Sequence, residues 1–259
     1  MRQPPRSKPM AKSTTAIDGT MTLLDHLREL RSRLTKVSIA VLIGMFGGFY
    51  IVNSTGFIKY VILSFAGEQG VQTTQVAETF TTYLSTALTL GIAAAMPVII
   101  YQLLAFLAPG LTRTERKWIF IGLPMVIFCF LGGLAFGWFV TAPAAIKFLI
   151  NFGIENAGNL IENKPRLDDF LSILTRLLLI NGIVFELPMI MFTLTKLGIL
   201  NPRKLGRYRR YVVLITVVAA AILTPTGDPA NLAFLAVPMY LLFEFGLLLG
   251  RLAQPKPAN

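Results

Sequence analysis

Charge is scarce in this sequence, and cysteine and histidine are almost absent. Only 14% of the 259 residues are Asp, Glu, Lys or Arg, against roughly a quarter in soluble domains, while 54% are hydrophobic. With a mean hydropathy of +0.64, such a chain cannot cover itself with polar surface in water, so lipid is the solvent for much of it. The single cysteine, Cys129, excludes an internal disulfide and the thiolate sets of zinc sites, and it carries no information on redox compartment. One histidine, His26, removes most other metal centres. No Ser/His/Asp set, HExxH, P-loop or GxGxxG is present, so neither catalysis nor a cofactor or metal is expected.

What the chain does have is long apolar runs. A membrane helix needs about 20 mostly apolar residues to cross ~30 Å of hydrocarbon. Six runs qualify as expected spans, at about 34–52, 80–107, 118–140, 170–197, 211–223 and 232–249. The segment between the first two is more polar and reads as extramembrane, with a short helix near Ile58–Phe65. Ala108-Pro109-Gly110 closes the second span, and the third is expected to end before Pro143. The fifth is short for a span, at roughly 20 Å, so its hairpin with the sixth must tilt, thin the bilayer or pack within protein.

The net charge is +11. In a soluble protein this would suggest nucleic acid. Here the basic residues lie in blocks between apolar runs and report topology, so no nucleic-acid partner is expected. Arg2, Arg6, Lys8, Lys12, Arg28, Arg31, Arg33 and Lys36 precede or open the first span. Arg113, Arg116 and Lys117 lie between the second and third, and Lys196, Arg203, Lys204, Arg207, Arg209 and Arg210 between the fourth and fifth. Arg251 and Lys256 follow the last. The other side has Lys59, Lys147, Lys164, Arg166 and an edge Arg176 among the acids Glu68, Glu78, Glu155, Glu162, Asp168 and Asp169. The bias and the even span number place both termini in the cytoplasm. Residues 1–20, rich in Pro, Ser, Thr and Lys, read as a disordered tail without the cleavage site of a removed signal peptide. Residues 21–251 then form one six-helix domain, and 252–259 a second tail.

A few acids interrupt the basic and apolar background. Met21–Leu34 reads as an amphipathic helix, with Leu23, Leu27, Leu30 and Leu34 at helical spacing. It suits a basic interfacial helix on anionic lipid. Its Glu29 is either neutralised, for instance by Arg33 at i+4, or offered to a cationic ligand. Glu115, at the start of the third span, either favours a helix N-terminus or joins Glu29 in reading a guanidinium, whose fork matches a carboxylate. Glu186, in Phe185-Glu186-Leu187-Pro188 inside the fourth span, is either a packing hydrogen bond beside a Pro kink or a functional intramembrane acid. Asp228 reads as a turn former or cap of the last span, and Glu244 as a partner of Arg251.

Together these residues resemble a family. His26-Leu27-Arg28-Glu29-Leu30-Arg31-Ser32-Arg33-Leu34 is similar to the opening of TatC, the receptor subunit of the twin-arginine protein translocase. The resemblance continues through Glu78-Thr79-Phe80, Pro97 to Gln102, Phe106 to Leu111, Glu115-Arg116-Lys117, Phe185 to Pro188, Leu223-Thr224-Pro225 with Asp228, and Pro238-Met239-Tyr240. It implies an all-α concave scaffold of six membrane helices with an outer cap and no enzymatic activity. The implied ligands are twin-arginine signal peptides of folded precursors, bound through Glu29 and Glu115 with Arg31 and Arg33. Implied partners are TatA-like and TatB-like single-span proteins, further copies of the chain and lipid, driven by the protonmotive force in a bacterial cytoplasmic membrane. Glu186 is implied as a partner contact, and Phe80, Phe106, Pro97 and Asp228 as structural or coupling positions. The chain departs from the family pattern at Gly56, Ser85 and Leu232, away from the cytoplasmic glutamates. The competing expectation is a small-solute secondary transporter using Glu186, but spans 1–3 and 4–6 show no convincing internal repeat.

Overall fold

A computed structural model describes residues 23–67, 70–107, 113–151, 164–196, 198–224 and 228–253. The expected tails at 1–20 and 254–259 fall outside these residues. Within them the chain is helical, and the one isolated bridge joins Gln72 to Arg166. The main helices are α1 (Leu23–Ser54), α2 (Phe57–Phe65), α3 (Glu78–Leu107), α4 (Arg113–Phe136), α5 (Ala142–Asn151), α6 (Leu167–Val184), α7 (Leu187–Lys196), the short α8 (Pro202–Leu205), α9 (Arg209–Leu223) and α10 (Pro229–Ala253).

Among the described residues five stretches are long and apolar enough to cross a membrane: Leu24–Ser54, Glu78–Phe106, Gly122–Ile150, Leu167–Lys196 and Pro229–Ala253. The expected fifth span belongs to α9, which has 15 residues, or about 22 Å, and falls short of a bilayer by itself. The amphipathic segment and the first span are one uninterrupted helix of 32 residues, about 48 Å long, so α1 extends beyond the hydrocarbon without a joint.

Small residues bring α1 and α3 together. A Cβ on Gly44 would stand 2.5 Å from the Gly91 carbonyl oxygen, and one on Gly48 2.5 Å from that of Ala87. Lipid tails give apolar helices no hydrophobic reason to associate, so such close backbone contact supplies the dispersion that holds them. The pair is thereby locked in register.

The third span departs from expectation. Pro143 does not end it; the chain widens into a π turn at Gly137–Thr141 and continues as α5. Proline has no N–H, and its ring would clash with the carbonyl four residues earlier. The wider turn takes up that conflict. Thr141 donates to Asn181 Oδ1 at 3.3 Å, and Asn181 Nδ2 donates to the Leu177 carbonyl at 2.8 Å. Both side chains are buried, and these bonds spare them the cost of unpaired polar groups in an apolar core.

The fourth span is broken where its sequence carries Phe185-Glu186-Leu187-Pro188. Glu186 N–H bonds back three residues to the Ile183 carbonyl at 3.1 Å. Pro188 then sits second in α7, where the absent N–H costs nothing. The apolar core at the far end, with Val61, Leu171, Leu174 and Ile146, joins α2, α5 and α6. A second cluster, with Val184, Ala220 and Leu235, joins α6, α9 and α10.

Polar contacts secure both ends. Glu78 is buried at the start of α3. Its carboxylate accepts from the N–H groups of Thr74, Gln75 and Asp168 and lies 3.6 Å from Arg166 Nη2, tying α3 to α6. At the other end Glu244 pairs with Arg209, not with the expected Arg251. Arg209 Nε lies 2.7 Å from Glu244 Oε1, and the Tyr240 hydroxyl donates to the same oxygen at 2.8 Å. The α9–α10 hairpin brings Arg209 across, whereas Arg251 is two turns further along its own helix.

Candidate functional site

The first candidate centre forms where α1 meets the last turns of α3. Glu29 and Arg33 are one helical turn apart and face Gln102. Arg33 Nε donates to Glu29 Oε1 at 3.0 Å, and Arg33 Nη2 reaches the same oxygen. Arg33 Nη1 donates to Gln102 Oε1 at 3.3 Å. Beside this set the His26 ring stacks on Phe106, with centroids 4.4 Å apart. The glycine contacts between α1 and α3 fix which turns oppose one another, and so set this meeting.

Glu29 is therefore paired, but only through one oxygen. Its side chain is 18% exposed, and among the described residues its buried Oε2 has no hydrogen-bond partner. A half-used carboxylate in a shielded notch can accept a further cationic donor. Arg31 is exposed on another face of α1 and does not join this cluster. Glu115 lies on the first turn of α4, but its side chain is outside the described set. Gln102 was not singled out from the sequence; its signal is a polar side chain in an apolar run, and it is buried here.

The second centre is Glu186, in the turn between α6 and α7. It is 6% exposed, and among the described residues neither carboxylate oxygen has a side-chain hydrogen-bond partner. It lines a cavity of about 200 Å³ together with Ile100, Leu103, Leu104, Val126, Met189 and Thr193. A bare carboxyl in apolar surroundings is costly and is a functional candidate by default. Leu103 and Leu104 directly follow Gln102, so the two centres back onto one turn of α3.

Other expected positions fall apart from these centres. Phe80 is exposed at the opposite end of α3, 22 residues or about 33 Å from Gln102. Pro97 lies inside α3, removing one backbone donor in the turn before the Glu186 cavity. Asp228 caps α10, its Oδ1 accepting from Asn231 N–H at 2.8 Å. Among the described residues no cluster of His, Cys, Asp and Glu is suited to a metal.

Similarity to known proteins bears on the same residues. Residues 25–238 match the family described as Sec-independent protein translocase protein (TatC). The TatC protein of Deinococcus radiodurans is 34% identical over 256 residues, covering 96% of this chain and 92% of that protein. The chloroplastic TATC of Arabidopsis thaliana is 35% identical, covering 88% and 66% respectively. A crystal structure of the twin-arginine translocase receptor TatC matches with a TM-score of 0.77 at 33% identity, over 88% of this chain and 99% of that one. A multispanning helical chain whose matched region runs from the Glu29 notch through the Glu186 cavity to α10 thus belongs to the TatC family, the receptor component of the Sec-independent, twin-arginine protein translocase.

Proposed function

We propose that this chain binds twin-arginine signal peptides of folded precursors at the face holding Glu29 and Glu115, and nucleates the export complex there. The observation that carries the reading is the half-used Glu29 carboxylate: Arg33 occupies Oε1, while Oε2 is buried and open to another guanidinium. Arg33, steadied by Gln102, orients the acid, and Arg31 and Glu115 complete the face. Basic loops on this side keep both termini cytoplasmic, with α9 as a short sixth span in a bacterial cytoplasmic membrane. TatA-like and TatB-like single-span helices, and further copies of the chain, assemble against the scaffold, with the protonmotive force as the energy source. Glu186 receives a polar group from such a helix. Family membership does not favour the small-solute transporter.

The test is direct binding of a labelled twin-arginine peptide to the purified full-length protein. A peptide with Lys-Lys in place of Arg-Arg should bind at least about tenfold more weakly, because an ammonium is more strongly hydrated and lacks the guanidinium's fixed planar array of donors. Equal binding of the two peptides refutes the reading. Glu186→Ala should leave peptide affinity within about twofold, an ordinary surface-scale change, yet abolish most transport in vesicles. If a folded Glu186→Ala protein lost peptide affinity, the shared turn of α3 would couple the centres and the division of roles would be wrong.

A further inference from the structure

The helix α6 carries a cation towards the outer end of its apolar stretch. Arg176 follows Leu167, the first residue of α6, by nine residues, about 14 Å along the axis, in keeping with a place near the outer edge of the span. Its side chain is exposed, and among the described residues no carboxylate pairs with it. Asp169, two turns outward on the same face, lies 4.0 Å from Arg166 Nε.

Beside Arg176 is an apolar cavity of about 370 Å³. Thr175, Leu178 and Leu179 form its α6 wall, Leu90 and Ala93 its α3 wall, and Trp138 of the π turn closes one side. Arg176 adjoins Thr175 and lies one helical turn outward of Leu179, which places it at the edge of the cavity's α6 wall, and Phe57 carries the lining outward to α2. The volume is that of a small-molecule pocket, in the range of about 300–1,000 Å³.

A charge at this depth is costly unless it meets a counter-ion or snorkels outward. An apolar cavity of this kind does not hold water well. A cation at the rim and a dry pocket below it complement a molecule with an anionic head and a hydrocarbon tail. An apolar partner helix would fill the pocket but leave Arg176 unanswered. We propose that this groove binds an anionic phospholipid from the leaflet on the α2 side, its phosphate on Arg176 and part of an acyl chain against Trp138, Leu178 and Leu179. This site is separate from the peptide-binding face and does not depend on it.

The chain has two tryptophans, so Trp118→Phe leaves Trp138 as a reporter inside the cavity wall. The full-length protein in phosphatidylcholine vesicles is titrated with chain-brominated phosphatidylglycerol or, separately, chain-brominated phosphatidylcholine, reading Trp138 quenching. At equal mole fraction the acidic lipid should occupy the site about fivefold more strongly, the discrimination expected of one cation near the headgroups. Arg176→Gln should remove the preference and Arg176→Lys should keep it, while Ala93→Phe should reduce quenching by both lipids. Equal quenching by the two lipids in the Arg176 protein, or a preference that survives Arg176→Gln, overturns the proposal. The headgroup comparison in the unmodified Arg176 protein decides it even if a variant fails to fold.

Discussion

Glu29→Ala is expected to weaken twin-arginine peptide binding by about 2–5 kcal/mol, roughly 30-fold or more, as for other desolvated charge pairs that lose one partner. The size follows from where Glu29 sits. Its carboxylate is mostly shielded from water, and among the described residues Oε2 has no competing donor, so a guanidinium arriving there meets little screening. Glu29→Gln keeps the shape and removes the charge; it should lose nearly as much. Glu115→Ala should show a comparable loss if both acids read the arginine pair. Binding to the full-length protein can be followed by fluorescence anisotropy, with the melting temperature as control. Unchanged affinity in both variants would remove the carboxylates from recognition.

The second large effect is expected from the α1–α3 seam. In Gly91→Leu the new side chain would start against the backbone of Gly44 and Met45, with Cβ 2.7 Å from the Gly44 carbonyl carbon. Backbone cannot rotate aside, so the two helices must separate. Overpacking of this kind costs about 1–3 kcal/mol, which corresponds to a melting-temperature drop of roughly 3–10 °C for a chain of this size. Peptide affinity should fall with it, because moving α3 takes Gln102 away from Arg33. Gly47→Leu is the matched control, since a Cβ there meets nothing within 4 Å. If Gly91→Leu left both stability and affinity intact, close contact would not be what aligns the notch.

The readable part of this fold was the part governed by solvent. Apolar runs and their basic flanks located five membrane-length helices, because transfer into lipid acts on each run separately, although α1 begins well before the expected start and the third span runs on past Pro143. What could not be read depends on which helix lies beside which. Glu244 had Arg251 in reach along its own helix, but the hairpin offers it Arg209. Pro143 looked like a stop, yet packing on α6 favours a π turn over a break. Arg33 was legible as a partner of Glu29 because i+4 spacing is local. Gln102, 69 positions from Arg33, was not. Glu186 stood out in both views, since a carboxyl in a hydrocarbon run is conspicuous before and after folding; the proximity of its cavity to Gln102 needed the structure.

The π turn has a further consequence for comparing related chains. Buried positions along α4 advance as Val126, Phe130, Gly133 and Gly137, then shift by one to Thr141–Ala142 and Ala145–Ile146. A single surplus residue has thus re-phased the buried face by about 100°, the angular step of one helical residue. When this chain is aligned with a relative whose helix runs straight, the one-residue gap belongs inside the membrane at 137–141. Placing it in a neighbouring loop, by the usual habit, would rotate the apparent inward face of α5 by about 100°.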